Sequence, residues 1–209
     1  MSTNPDATVF IVDDDEAFRD SLCWLLESAG HCVAAYPSAE KFLTGYDSEQ
    51  PGCLVLDIRM PGMNGLELQD ELTRRALVIP IIFVTGHGDV PMAVSAVKKG
   101  AAEFLEKPFN DQAFLGLVEK ALTIDAAQRR EQARKLTVAA RLEKLTSRER
   151  EIMGFVIAGK MNKTIADELC ISIKTVEAHR ARVMQKLGVD SVAALVQLAL
   201  EVDHSRTAR

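Results

Sequence analysis

The stretch CLVLDIRMPGMNG, residues 53–65, runs four mostly apolar residues straight into an acid, Asp57, and then into a segment broken by proline and glycine. A strand that leaves an apolar core on a carboxylate can end on a helix cap or a solvated loop acid. The partners at neighbouring strand ends decide between those readings and a functional one. Short apolar runs recur at 9–12, 32–35, 81–84 and 104–105, and helical periodicity fills 16–28, 39–44, 66–74, 90–98 and 111–122. Asn64 with Glu67 predicts a capping box at one helix start. Strands alternating with helical crossovers predict an α/β fold, a five-stranded parallel sheet covered on both faces. In such a sheet the ligand site lies beyond the carboxyl ends of the strands.

Those ends carry chemistry. The first strand opens into Asp13, Asp14 and Asp15, the third into Asp57, the fourth into Thr85, and the fifth is followed by Lys107 and Pro108. Clustered carboxylates repel one another unless a cation intervenes. An all-oxygen set of modest size suits Mg²⁺, which keeps waters and accepts a phosphate oxygen. Asp57 is then a nucleophile towards a phosphoryl donor. The metal is held mainly by Asp14 and Asp57 with help from Asp13, while Lys107 is a fixed positive charge. Asp15 sits at the rim. Arg59 and His87, two residues after Asp57 and Thr85, are candidates to frame the path of an attacking water, and His87 reads equally as a surface loop residue.

The 209 residues are 47% hydrophobic and 26% charged, a globular balance. No apolar stretch approaches the roughly 18 residues of a membrane span, and the start lacks a signal-peptide pattern. Cys23, Cys32, Cys53 and Cys170 show no metal-like spacing and read as small buried hydrophobes in a reducing cytoplasm. The net charge of −5 hides a split: residues 1–124 carry 9 basic against 19 acidic side chains, residues 125–209 carry 16 against 11. The first half repels nucleic acid and the second attracts it.

Residues 111–142 contain no proline and only Gly116, so the last helix of the first domain is expected to run on as a helical linker. Leu115, Val118, Leu122 and Leu136 give it an apolar stripe that Asp125 and Arg129 interrupt, which favours a solvated spacer over a coiled coil. From LTSRERE onward, Thr146 and Glu149 predict a second capping box, and four short helices follow, two of them separated by about three residues as in a helix-turn-helix. On the helix capped by Ser172, Val176, His179, Val183 and Leu187 share one face. Lys174, Ala178, Ala181 and Gln185 share the opposite one, flanked by Thr175, Glu177 and Arg182. Small residues allow close approach to a groove floor, and the longer ones reach bases or phosphates. Lys160, Lys163 and Lys186 are candidate phosphate contacts, and His179 is expected to pack inward.

VDDD (12–15), LVLDIRMPGMNG (54–65), VTGHGD (84–89) and EKPF (106–109) resemble the CheY-like, flavodoxin-like receiver domain of two-component response regulators. The stretch LTSREREIMGFVIAGKMNKTIADELCISIKTVEAHRARVMQKLGV resembles a LuxR-type DNA-binding domain. Together they are similar to the NarL/FixJ class, in its FixJ-like branch. The resemblance implies a receiver over 1–122, a helical linker over 123–141, a small all-α DNA-binding domain over 142–203 and a disordered tail over 204–209. It implies phosphotransfer from a sensor histidine kinase to Asp57 with Mg²⁺ on Asp13, Asp14, Asp57 and the Arg59 backbone carbonyl. Thr85 and Phe104 map to the switch pair, Lys107 to the family's lysine, and a cis bond is expected before Pro108. It further implies a homodimer on phosphorylation through Val90, Val94, Val97, Lys98 and Glu103, and pairing of the DNA-binding domains through the last helix. Double-stranded promoter DNA and RNA polymerase are the remaining partners. The implied protein is a phosphorylation-dependent transcriptional regulator, in the activating sense, and a phosphoacceptor with slow self-dephosphorylation rather than an enzyme. A Mg²⁺-dependent phosphatase and a receiver with a protein-binding output are the rival readings.

Overall fold

The structure, a computed structural model, describes residues 7–86 and 100–207, with side chains through residue 200. The chain forms two compact units, Met1–Arg129 and Arg130–Arg209.

The first unit is built on strands β1 (Thr8–Val12), β2 (Cys32–Tyr36), β3 (Gly52–Leu56), β4 (Ile81–Thr85) and β5 (Glu103–Glu106), all parallel in the order β2-β1-β3-β4-β5. Every residue of β1, β3 and β4 is buried, as expected of strands covered on both faces. Alternation along each strand feeds two cores. Phe10, Val12, Leu54, Leu56 and Phe83 pack on one face beneath helices α2 (Ala39–Gly45) and α3 (Gly65–Arg74). Val9, Ile11, Val55, Ile82 and Val84 pack on the other against α1 (Glu16–Ser28) and the start of α4 (Asp111–Glu143). Each such side chain contributes about 1.5–3 kcal/mol by leaving water. Gly52 is dictated by β1, because a Cβ there would lie 2.0 Å from the Thr8 carbonyl oxygen.

The predicted elements match within a residue or so at most ends, and the Asn64–Glu67 capping box is present. Helix α4 runs on as expected, unbroken from Asp111 to Glu143, and the residues that interrupt its apolar stripe have partners. Asp125, buried, accepts from the Gly52 amide at 3.0 Å and from Arg129, whose guanidinium also reaches the carbonyls of Ser48, Glu49 and Gln50. Of the four cysteines only Cys53 is buried; Cys32, on the edge strand, and Cys170, in a turn, are exposed. The predicted segment 90–98, with Val90, Val94, Val97 and Lys98, lies outside the described residues, as does His87.

In the second unit the end of α4 is followed by α5 (Ser147–Ile157), α6 (Asn162–Glu168), α7 (Ile173–Leu187) and α8 (Val192–Thr207). The tail expected to be disordered from residue 204 is helical to Thr207, since nothing in EVDHSRT stops a helix. Leu145, Ile152, Val156, Ile165, Val176, Val183, Leu187 and Leu195 make the core. The Thr146–Glu149 capping box is present. Gly188 ends α7 in the left-handed region, at φ 68°.

Candidate phosphoacceptor pocket and DNA-binding face

Sheet register assembles the acidic pocket. Val12 pairs with Leu56, so the next residue on each strand, Asp13 and Asp57, leaves the sheet at adjacent ends, tied by the Asp57 amide donating to the Val12 carbonyl at 2.9 Å. Thr85 pairs with Glu106, and the Lys107 amide donates to the Thr85 carbonyl at 2.9 Å, which sets Lys107 at the same edge. The Lys107–Pro108 bond is cis. The Lys107 ammonium lies 2.8 Å from Asp13 Oδ2 and 3.5 Å from Asp57 Oδ1, over the ring of Phe18 at 3.6 Å from its centroid. Asp57 Oδ2 accepts from the Arg59 amide at 2.9 Å.

Asp13 and Asp57 are both buried. Burial, opposed by Lys107 and reinforced by the charge of Asp13, raises the Asp57 carboxyl above the usual range. Asp14 is exposed and lines a depression beside the pocket with Ile58, Arg59, Pro61 and Asn64. Thr85 is buried at the end of β4, and Phe104 is half-buried against the first core. Asp15 caps α1, accepting from the Phe18 amide at 3.1 Å.

In the second unit Val176, Val183 and Leu187 are buried, while Lys174, Thr175, Glu177, Ala178, Ala181 and Arg182 are exposed along α7. Ser172 caps the helix, its hydroxyl accepting from the Thr175 amide at 3.1 Å. Lys163 is exposed. Lys160 is paired with Glu168 at 2.6 Å, over the ring of Phe155. Lys186 bonds Glu149 Oε2 at 2.6 Å and the Lys144 carbonyl at 3.1 Å. Both lysines, expected at phosphates, therefore already hold partners in their own unit. His179 packs inward with its Nδ1 buried and lacking a hydrogen-bond partner.

Residues 9–119 match the response regulator receiver domain family, and residues 143–199 match the luxR family of bacterial regulatory proteins. The chain is 46% identical over 192 residues to the transcriptional regulatory protein FixJ of Azorhizobium caulinodans, covering 92% of this chain and 91% of that protein. It is 43% identical to FixJ of Bradyrhizobium diazoefficiens, covering 92% and 94%. Among solved structures, response regulator StyR superposes with a TM-score of 0.86 at 47% identity, covering 94% of this chain and 99% of that one. The chain belongs to the FixJ/NarL family of two-component response regulators.

As a response regulator it couples a receiver phosphoacceptor to a LuxR-type DNA-binding domain, and its family implies Mg²⁺-dependent phosphoaspartate chemistry. The residues fit a hydrated Mg²⁺. Two buried carboxylates crowd one another, an exposed third acid stands at the rim, and Mg²⁺ needs only one or two carboxylates plus waters. Among the described residues no trio of His, Cys, Asp or Glu forms a closed metal cage, which such a water-rich site does not require. Sequence reasoning missed Phe18, beneath Lys107, and Arg19, which donates to the Asp13 carbonyl at 2.7 Å. Counted from Asp15 as N-cap, both fall in the first turns of α1, a position that by itself does not tell a core residue from one at the pocket. No single helix among the described residues is long and apolar enough to cross a membrane. A bent pair, Ile173–Leu187 with Val192–Leu200, passes by length and composition only, and Val176, Val183, Leu187 and Leu195 of it pack in the core of the second unit.

Proposed function

We propose that Asp57 takes a phosphoryl group from a sensor histidine kinase, and that the phosphorylated regulator dimerises and activates transcription from promoter DNA in the cytoplasm. The observation that carries this reading is the Asp57 carboxylate, held by the Arg59 amide on one oxygen and facing Lys107 with the other. A carboxylate oxygen of Asp57 attacks phosphorus, the bond from phosphorus to the donor imidazole breaks, and an acyl phosphate forms. Asp13, Asp14, Asp57 and the Arg59 carbonyl are the proposed Mg²⁺ ligands, and the bound ion supplies charge neutralisation to the transferring group. Lys107 turns from Asp13 towards the new phosphoryl oxygens. The Thr85 hydroxyl follows them, and Phe104 moves into the space it leaves.

Glu103 is ion-paired to Lys120 of α4, so a dimer contact through Glu103 extends an existing pair. The exposed face of α7, with Ser172, Lys163 and Arg182, is the proposed DNA-reading surface, and RNA polymerase is the partner activation requires. Dimerisation raises the effective concentration of the second DNA-binding unit without any new base contact.

The test is incubation of the full chain with a phosphoramidate donor and Mg²⁺. Peptide mass spectrometry is expected to find the label on Asp57, and anisotropy to find tighter binding to a duplex that the wild type enriches from a random pool. Asp57→Asn is expected to lose both effects while keeping weak DNA affinity. Label on another residue, or unchanged enhancement in the variant, overturns the assignment.

A further inference from the structure

The second unit contains a reciprocal contact between the ends of two helices. Arg141, in the last turn of α4, donates from Nη1 to the Leu187 carbonyl at 3.0 Å. In the opposite direction Lys186, one residue earlier on α7, donates to the carbonyl of Lys144 at 3.1 Å. Each helix end thus reaches a carbonyl at the end of the other. The carbonyls of a helix's last turn lack intrahelical donors and carry its negative pole, so a guanidinium there is doubly favourable. The fit is tight, since a Cβ on Gly188 would sit 3.0 Å from the same Arg141 nitrogen. One turn earlier Val138 is buried, unlike the residues at 131–137, so α4 is seated in this unit from Val138 onward. Glu149 completes the joint, bonding Lys186 at 2.6 Å and the Thr146 amide at 2.9 Å.

We infer that Arg141 is a positioning residue for DNA recognition, which with Lys186 clamps the end of α7 to the end of α4 and so fixes the angle at which the reading face is presented. This rests on the proposal that α7 meets DNA. Val176, Val183 and Leu187 seat one face of α7 in the core, while the cap at Ser172 bonds only within the helix, to Thr175. Fixed in addition at its carboxyl end by Arg141 and Lys186, it offers Lys174, Ala178, Ala181 and Arg182 at one pitch. The contribution is to specific binding, where geometry matters, and not to the sequence-independent phosphate term.

Full-length variants are compared by anisotropy, across a salt series, on the duplex enriched by the wild type and on an unrelated duplex of equal length. Arg141→Met keeps the hydrocarbon stem and removes the donor. It is expected to weaken the enriched duplex roughly fivefold, the scale of one hydrogen bond, leave the unrelated duplex unchanged, and keep the wild-type salt slope. Arg141→Lys is expected to recover part of the loss. Lys186→Met is expected to follow the same pattern, whereas a phosphate-contacting lysine lowers the salt slope by about one on both duplexes. Wild-type discrimination in Arg141→Met overturns the clamp, as does a reduced slope in either methionine variant. Loss of helical circular dichroism in both Arg141 variants also overturns it, by making Arg141 a folding residue. If the wild type enriches no duplex, the DNA-binding reading fails first, and the clamp loses its purpose with it.

Discussion

Lys107 stands at 2.8 Å from Asp13 and 3.5 Å from Asp57, so before phosphotransfer its charge belongs mainly to Asp13. That leaves the buried Asp57 carboxylate only partly compensated, which suits the nucleophilic role proposed for it, with its orientation set by the Arg59 amide. The backbone constraint is testable at Gly65, where a Cβ would lie 2.3 Å from the Asp57 carbonyl oxygen. Gly65→Ala must therefore shift the Asp57–Ile58 backbone against the start of α3. We expect phosphorylation by a small donor to slow roughly tenfold or more, because reacting geometry tolerates little displacement; a wild-type rate by quenched-flow mass spectrometry contradicts this. Glu149 gives a pH test. Lys186 first, then the Thr146 amide, hold its carboxyl down from 4.5 to about 2. A depressed carboxyl contributes stability that is present above its unfolded value and is lost as pH falls towards the folded one. Glu149→Gln is thus expected to be less stable than wild type at pH 7, with the gap closing between about 4.5 and 2. Hydrogen exchange over residues 145–200 measures it. Asp13, Asp57 and Lys107 were legible in the sequence because parallel register leaves little choice over which strand ends meet. Phe18 was not, since nothing in an apolar first-turn residue tells a core contact from a seat beneath an ammonium.

Helix α4 shows where a periodic pattern stops being informative. Its length follows from the absence of breakers over 111–142, and the structure extends it by one residue. The wheel marks Asp125 and Arg129 only as polar positions in an apolar stripe. What they do depends on the turn ahead of β3, some eighty residues away in sequence, whose three carbonyls Arg129 gathers while Asp125 takes the Gly52 amide. Local spacing holds no record of such a partner. The edge position of β2 misleads in the same way: Cys32 has a strand's neighbours, but only one side of it is covered. The Asp125–Arg129 pair predicts a cost. Arg129→Ala leaves a buried carboxylate without its cation and strips a donor from three carbonyls, so the first unit should lose about 3–5 kcal/mol. Urea unfolding at fixed pH measures this, and a loss below about 1 kcal/mol means that water replaces the guanidinium. Leu136, at 62% exposure, agrees with a solvated spacer between the two seated ends of the helix.

Across the whole chain, charge and geometry divide the work. Residues 1–124 are strongly acidic and residues 125–209 basic, so attraction to DNA is concentrated in the half that carries α7. A single basic unit binds any duplex through phosphates, and steeply so at low salt. What phosphorylation adds in the proposed scheme is a second unit at high local concentration, which helps only when both recognition helices can reach the same face of the duplex. Dimer-dependent enhancement is therefore periodic in the distance between half-sites. Starting from the enriched duplex, inserting about five base pairs, half a helical turn, is expected to abolish the gain from phosphodonor while leaving binding of the unphosphorylated chain unchanged. Inserting about ten base pairs, a full turn, restores the phase and should recover part of the gain, to the extent that the linker spans the added length. Anisotropy titrations with and without donor, on the parent and the two spaced duplexes, read this directly. A gain that persists at half a turn shows that phosphorylation acts on each DNA-binding unit separately, through its own receiver, and dimerisation is then not the step that turns phosphate into occupancy.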